Sequence, residues 1–267
     1  MIRTSLSARL SSSVALATLA AALATAPAVA QPEPATYEGT AVRIGHGTAH
    51  TLVRSDANGE PASVGVVFTP GMLEGLPRPA RGAVPDFPYF LPMPTTGPRT
   101  VVDHVVIDWE PVGHPPARVY DVPHFDFHFY LVNRAEQMKV AFKDENASGD
   151  PRQQPPAELV PVGYVVPPGT AVPRMGVHAI DPSAPEFHGK PFTATFIYGY
   201  YNRRQTFLEP MVALDYLKAK PSLSVPVTRP ASYTKRGAYP SAYSVRYDAA
   251  RNLYEVALEQ LNRGATP

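Results

Sequence analysis

Between Pro123 and Tyr130 the chain alternates without a break: His124, Asp126 and His128 are polar, and Phe125, Phe127 and Phe129 are aromatic. A helix would scatter these six residues around its circumference. A strand, whose successive side chains point to opposite sides, sorts them into one face of three phenyl rings and one face of His, Asp and His. The phenyl face belongs in a core, and the other suits a metal ion or proton-transfer chemistry. This alternation points to a sheet in the middle of the chain that is apolar on one side and suited to chemistry on the other.

The rest of the chain supports a β architecture. Proline accounts for 32 of 267 residues, about twice the usual share, which disfavours long helices and favours short strands joined by rigid loops. Thr40 to Arg54 and Ala62 to Thr69 flank Asp56-Ala-Asn-Gly59 and read as a hairpin. Val101 to Trp109, with His104 and Asp108 on one face, and Ala117 to Val132 read as antiparallel neighbours across the Gly113-His-Pro-Pro116 turn. Phe192 to Tyr200 and Gln205 to Glu209 read as a hairpin about Asn202-Arg-Arg204. Short helices are expected at Arg134 to Lys143 and at Met211 to Lys220, the second halted by Pro221. Near the C-terminus, Tyr243, Val245 and Tyr247 with Tyr254, Val256 and Leu258 favour a hairpin over a helix capped by Asp248. Arg78 to Pro98 is a long Pro-rich connection able to close over a site, and Asp144 to Pro156 is a polar loop. With no repeat and no linker, the expected fold is mostly β, an antiparallel sandwich or barrel with a few short helices and long Pro-rich loops, in a single domain from residue 31 to 267.

Residues 1 to 30 read as a signal peptide. Arg3 and Arg9 precede an apolar run from Val14 to Ala26, and Ala28-Val-Ala30 places cleavage before Gln31. The run is too short for a comfortable transmembrane helix, so the expected mature chain is periplasmic or secreted, with no membrane span after processing. There is no Cys, hence no disulfide and no lipid-modified Cys after the signal. The leader holds two Arg and no acid, so the remainder has 22 basic and 23 acidic residues against 24 and 23 in the whole chain. A charge this close to balance gives no broad attraction for nucleic acid.

Besides His124, Asp126 and His128, the candidate residues are His178 in Met175-Gly-Val-His-Ala-Ile-Asp-Pro182, Glu209, His114 in its turn and His188 in a loop. Three His and a carboxylate from separate segments form a common shell for a divalent metal, zinc first, with iron and manganese as alternatives. At ~3.3 Å per residue, His124 and His128 stand about 13 Å apart, too far to share an ion unless the strand bends or bulges. Asp126 then either ligates with one His or orients a ligating His. The same pattern also fits a polar face that is merely solvated or internally hydrogen-bonded. His46 and His50 read as a solvated strand face, His104 as a satisfied buried or edge His, and Tyr198, Tyr200 and Tyr201 as hairpin packing. The Asn146-Ala-Ser148 sequon reads as incidental beside a bacterial type of leader. The chain lacks G-x-S-x-G, G-x-x-x-x-G-K-[ST], G-x-G-x-x-G and H-E-x-x-H, which counts against common serine hydrolases, nucleotide and dinucleotide enzymes and zincins.

Pro123 to Tyr130, Met175 to Pro182, Pro191 to Gly199 and Phe207 to Met211, in that order, resemble segments of a family of uncharacterised, exported bacterial proteins defined by a domain of unknown function. The resemblance runs from about Gly45 to the end, apart from the loop after Asp144 and the extreme C-terminus. It implies a mostly β domain, capable of oligomerising, with no established activity. It also strengthens the choice of His124, Asp126, His128, His178 and Glu209 as one constellation. The leading expectation is a metal-dependent hydrolase, lyase or oxygenase. Against it stand a non-catalytic envelope protein that binds a metal or a small-molecule ligand, and a structural homo-oligomer joined through its aromatic hairpins.

Overall fold

The computed structural model describes Met1, residues 33–143, Ala147 and residues 149–263. The leader, apart from Met1, and Asn146 and Ser148 of the sequon lie outside them.

The strands are β1 (Thr36–Glu38), β2 (Val42–Ile44), β3 (Gly47–Ser55), β4 (Pro61–Phe68), β5 (Pro88–Pro92), β6 (His104–Glu110), β7 (His124–Tyr130), β8 (Val177–Ala179), β9 (Ala194–Tyr201), β10 (Arg204–Ala213), β11 (Ser222–Pro226), β12 (Ala238–Tyr239), β13 (Ala242–Asp248), β14 (Leu253–Glu259) and β15 (Asn262–Arg263). They form a seven-stranded sheet in the order β1-β3-β4-β14-β13-β11, with β2 also on β3, and a six-stranded sheet in the order β5-β6-β7-β10-β9-β8, while β12 and β15 pair separately. All pairings are antiparallel. Neither large sheet closes on itself, so the architecture is a sandwich, not a barrel. Two α-helices, α1 (Arg134–Gln137) and α2 (Leu214–Lys218), occur among the described residues. No helix there is long and apolar enough to cross a membrane.

The phenyl face of β7 meets the first sheet. Phe125, Phe127 and Phe129 are fully buried in one cluster with Val64, Val66 and Phe68 of β4 and Val256 and Leu258 of β14. Phe127 stacks on Phe68 with centroids 6.0 Å apart, and Phe68 stacks on Tyr254 at 5.2 Å. Each such ring contributes about 1.5–3 kcal/mol by leaving water.

The hairpins β3–β4, β9–β10 and β13–β14 lie where the turn residues place them. Asn202 and Arg203 take positive φ at 48° and 65°, as the tight turn between twisted strands requires. Asp248 accepts hydrogen bonds from the amides of Ala250 and Arg251, as a helix cap would, but Asn252 at φ 53° turns the chain back into β14.

Three expectations shift. The run from Thr40 to Arg54 is two strands, because Gly45 takes φ +54° and its Cα passes so near Glu74 that a Cβ would stand 2.1 Å from that carbonyl oxygen. Met211 to Ala213 extend β10 rather than open a helix, since they pair with β9 on one side and β7 on the other. Arg78 to Pro98 contributes β5, which pairs with β6, and Trp109 Nε1 donates to the Pro77 carbonyl at 2.9 Å.

Candidate metal centre

The site lies on the face of the second sheet turned away from the sandwich core, where His124, Asp126 and His128 project from β7. On β6, Asp108 stands across from Asp126 and Glu110 across from His124. On β10 the register pairs Leu208 with Phe129 and Met211 with Asp126, which sets Glu209 beside His128. Glu209 reaches this side because the β9–β10 register slips between Gln205 and Phe207, a bulge that moves every later side chain of β10 to the opposite face. His178, on the edge strand β8, pairs with Gly199. A Cβ at Gly199 would lie 2.2 Å from the Phe207 ring. The bare backbone there leaves room for that ring, which stands edge-on to His128 at 4.7 Å and lies 5.3 Å from His178.

The five expected residues share this face but divide into two groups. The ligand atoms of His128, His178 and Glu209 lie within 4.8 Å of one another, and so do those of His114, His124 and Asp126. Strand β7 pairs with β6 along its whole length without a register shift. The separation of His124 from His128 therefore persists, and each finds different partners. His114 comes from the β6–β7 connection, held by Gly113 at φ +69°, where a Cβ would stand 2.0 Å from the Tyr120 carbonyl oxygen.

Most of the donor set is sealed from water. His124, Asp126, His128, Glu209 and Asp108 are buried, whereas His178 is half-buried and the His114 side chain is 35% exposed. Tyr120, which donates to Glu186 Oε1 at 3.3 Å, and Phe192 wall the His114 end with their rings.

The imidazoles have defined tautomers. His178 Nδ1 donates to the Thr170 carbonyl at 2.8 Å, His124 Nδ1 to Val122 at 2.6 Å and His114 Nδ1 to Pro115 at 2.8 Å. Each bond fixes a ring through Nδ1 and leaves its Nε2 available, the arrangement in which backbone carbonyls orient metal-ligating His. His128 follows the carboxylate version, with Nδ1 2.9 Å from Asp108 Oδ2 and Nε2 3.4 Å from Glu209 Oε1. Several of these atoms, Glu209 Oε2, Asp126 Oδ1, Asp108 Oδ2, both nitrogens of His128 and His124 Nε2, are buried without a well-directed hydrogen bond. Buried polar groups are rarely left so, and a cation among them would satisfy several at once.

Charge is finely poised. Burial opposes a charged His128, but Glu209 and then Asp108 outweigh it and push its pKa up to about 9. Burial pushes Glu209 up to about 8, and burial lowers His178 to about 4, keeping it neutral. Burial opposes ionisation of Asp126 too, yet His124 and His114 hold its carboxyl far below the usual range. Glu110 is raised to about 7 by burial and then by the charge of Asp126.

The other His residues stand elsewhere. His104 is buried, bridged between Asp103 and Gln137 at 2.9 and 3.0 Å and stacked on Tyr130. His50 lies 3.8 Å from Glu38, and His46 and His188 are exposed. Tyr198 and Tyr200 are buried, their hydroxyls donating to the carbonyls of Thr228 and Leu159. Asp108 was legible only as a member of the His104 face, and Glu110 and Tyr120 carried no signal of their own.

Fold and donors together define an antiparallel β-sandwich bearing two His/carboxylate groups that could hold a metal ion. Residues 56–109 are similar to the family described as TTHB210-like, hypothetical protein TTHB210. That segment is about a fifth of the chain, an uncharacterised domain family that here spans β4 to β6 and includes Asp108 but none of the four site His. No curated protein and no solved structure matches the chain.

Proposed function

We propose that this chain is an exported metalloprotein whose divalent ion is held by His128, His178 and Glu209, with zinc the first assignment and water-dependent bond cleavage the chemistry. The observation that carries the reading is the arrangement of the imidazoles: the His178 ring is fixed by a backbone carbonyl, His128 is backed by Asp108, and the ligand atoms of both lie within 4.8 Å of each other and of that of Glu209. Two His and one Glu form a known catalytic zinc set that leaves a position for water. A zinc ion bound there supplies Lewis acidity and lowers the pKa of its water toward ~7. Within this reading, Asp108 keeps His128 oriented, Phe207 fixes both rings, and half-buried His178 marks the side from which a substrate enters. The same two-His, one-carboxylate set also suits non-haem iron, and this favours oxygen-dependent chemistry as the second reading.

Elemental analysis of untagged protein tests the centre. His178→Ala is expected to lose the ion of this centre, whereas exposed His46→Ala retains the full wild-type metal content; equal content in both variants sinks the assignment. Export is tested separately by the intact mass of secreted material. A chain beginning at Gln31 is expected, and a mass that still includes residues 1–30 would overturn the proposed periplasmic or secreted location.

A further inference from the structure

The second group, His114, His124 and Asp126, lies outside the centre just proposed. Its geometry leaves buried polar atoms in close contact without a well-directed hydrogen bond. His124 Nδ1 donates to Val122 at 2.6 Å, and Nε2 of the same ring faces Asp126 Oδ1 at 3.2 Å. His114 repeats the arrangement, with Nδ1 donating to Pro115 and Nε2 3.5 Å from Asp126 Oδ2. Such contacts are favourable only where a positive charge, a proton on the ring or a metal ion, lies between nitrogen and carboxylate. His124 is fully buried and Asp126 is 4% exposed, so bulk water cannot supply a missing partner. Neither His124 Nε2 nor Asp126 Oδ1 has a hydrogen-bond partner. A proton answers the charge at His114, where burial opposes ionisation but Asp126 pushes the pKa up to about 9, whereas the contact of His124 Nε2 with Asp126 Oδ1 lacks the direction of a good hydrogen bond.

We infer that His114, His124 and Asp126 form a second binding site for a borderline divalent cation of the zinc type, so that the outer face of the second sheet carries two ions per chain. The donor set is the same as in the first group, two imidazoles and one carboxylate, and the backbone carbonyls of Val122 and Pro115 orient the rings as Thr170 orients His178. Glu110, across from His124 on the neighbouring strand, supplies a further carboxylate at this end of the face. The two sites draw on separate residues, and the second stands whether or not the first binds metal.

The test is a zinc titration of chelator-stripped full-length mature protein, followed calorimetrically and by metal content after dialysis. His114→Ala is the informative variant, because that side chain is half-exposed on a connection and its loss leaves the strands intact; Asp126→Asn is a near-isosteric second. Wild-type protein is expected to bind two zinc ions, and each variant one, with affinity at the altered site reduced by more than about 100-fold, beyond the range seen when only an orienting partner is removed. His178→Ala should also retain one ion, held by the second group. A single wild-type ion that survives in His114→Ala and disappears in His178→Ala overturns this inference and leaves the first centre standing. A single ion with the reverse pattern supports the second site and overturns the first. If the wild type binds no zinc, neither site stands.

Discussion

Stripping the metal-loaded protein with a chelator is expected to lower its melting temperature by about 8–16 °C. The expectation follows from what the ion would leave behind. Asp108, Asp126 and Glu209 all sit within the sealed part of the site, and without a cation their buried oxygens and the imidazole nitrogens beside them lack well-directed partners. Buried charges that lose their partner are among the most costly features a fold can carry. A ligand present at about a thousand times its dissociation constant stabilises the native state by ~4 kcal/mol, and in a domain of this size each kcal/mol corresponds to roughly 2–4 °C. Differential scanning calorimetry with and without chelator reads the shift, and an unchanged transition would remove the structural argument for a resident ion.

Phe127→Ala is expected to cost about 3–5 kcal/mol of folding stability, the range for deleting a buried phenyl ring. Phe127 is wholly buried, stacks on Phe68 and touches Phe125 at 6.3 Å between centroids. Its position in the middle of β7 leaves the surrounding strands little freedom to close the cavity. Urea unfolding should show a lower midpoint with an unchanged slope. A loss below about 1 kcal/mol would mean that the two sheets do not depend on this contact. The neighbouring substitution His128→Ala is informative beside it, because it removes a side chain from the opposite face of the same strand.

Much of this architecture is legible in the residues of β7 alone. Three Phe and three polar residues in strict alternation define both faces, and the structure places the rings in the core and the polar residues on the far side. The Asn-Gly turn after Asp56 and the Asn202-Arg-Arg204 turn fix two hairpins for the same reason, that short-range turn chemistry dominates there. The division of the site into two groups departs from the expectation of one constellation: strand rise sets His124 far from His128 unless the strand bends, and nothing in the spacing told which partner each would take. Glu209 joined His128 only because the bulge at Thr206 reverses the parity of β10, and a bulge has no simple sequence signature. His114 was harder still, since its position depends on an irregular connection. Asp108 required the register between β6 and β7, which that connection sets.

Four of the six ligand-type side chains are anchored on paired strands of the second sheet's interior, whereas His114 belongs to a connection and His178 to a three-residue strand at the edge. This split has an evolutionary consequence. Insertions and substitutions accumulate most freely in connections and at sheet edges, because little of the core depends on them. A descendant sequence can therefore exchange or reposition one donor in each group while the β7 and β10 donors and the hydrophobic layer behind them stay in register. The sandwich can serve as a fixed chassis whose donor sets change by editing two local segments of the chain.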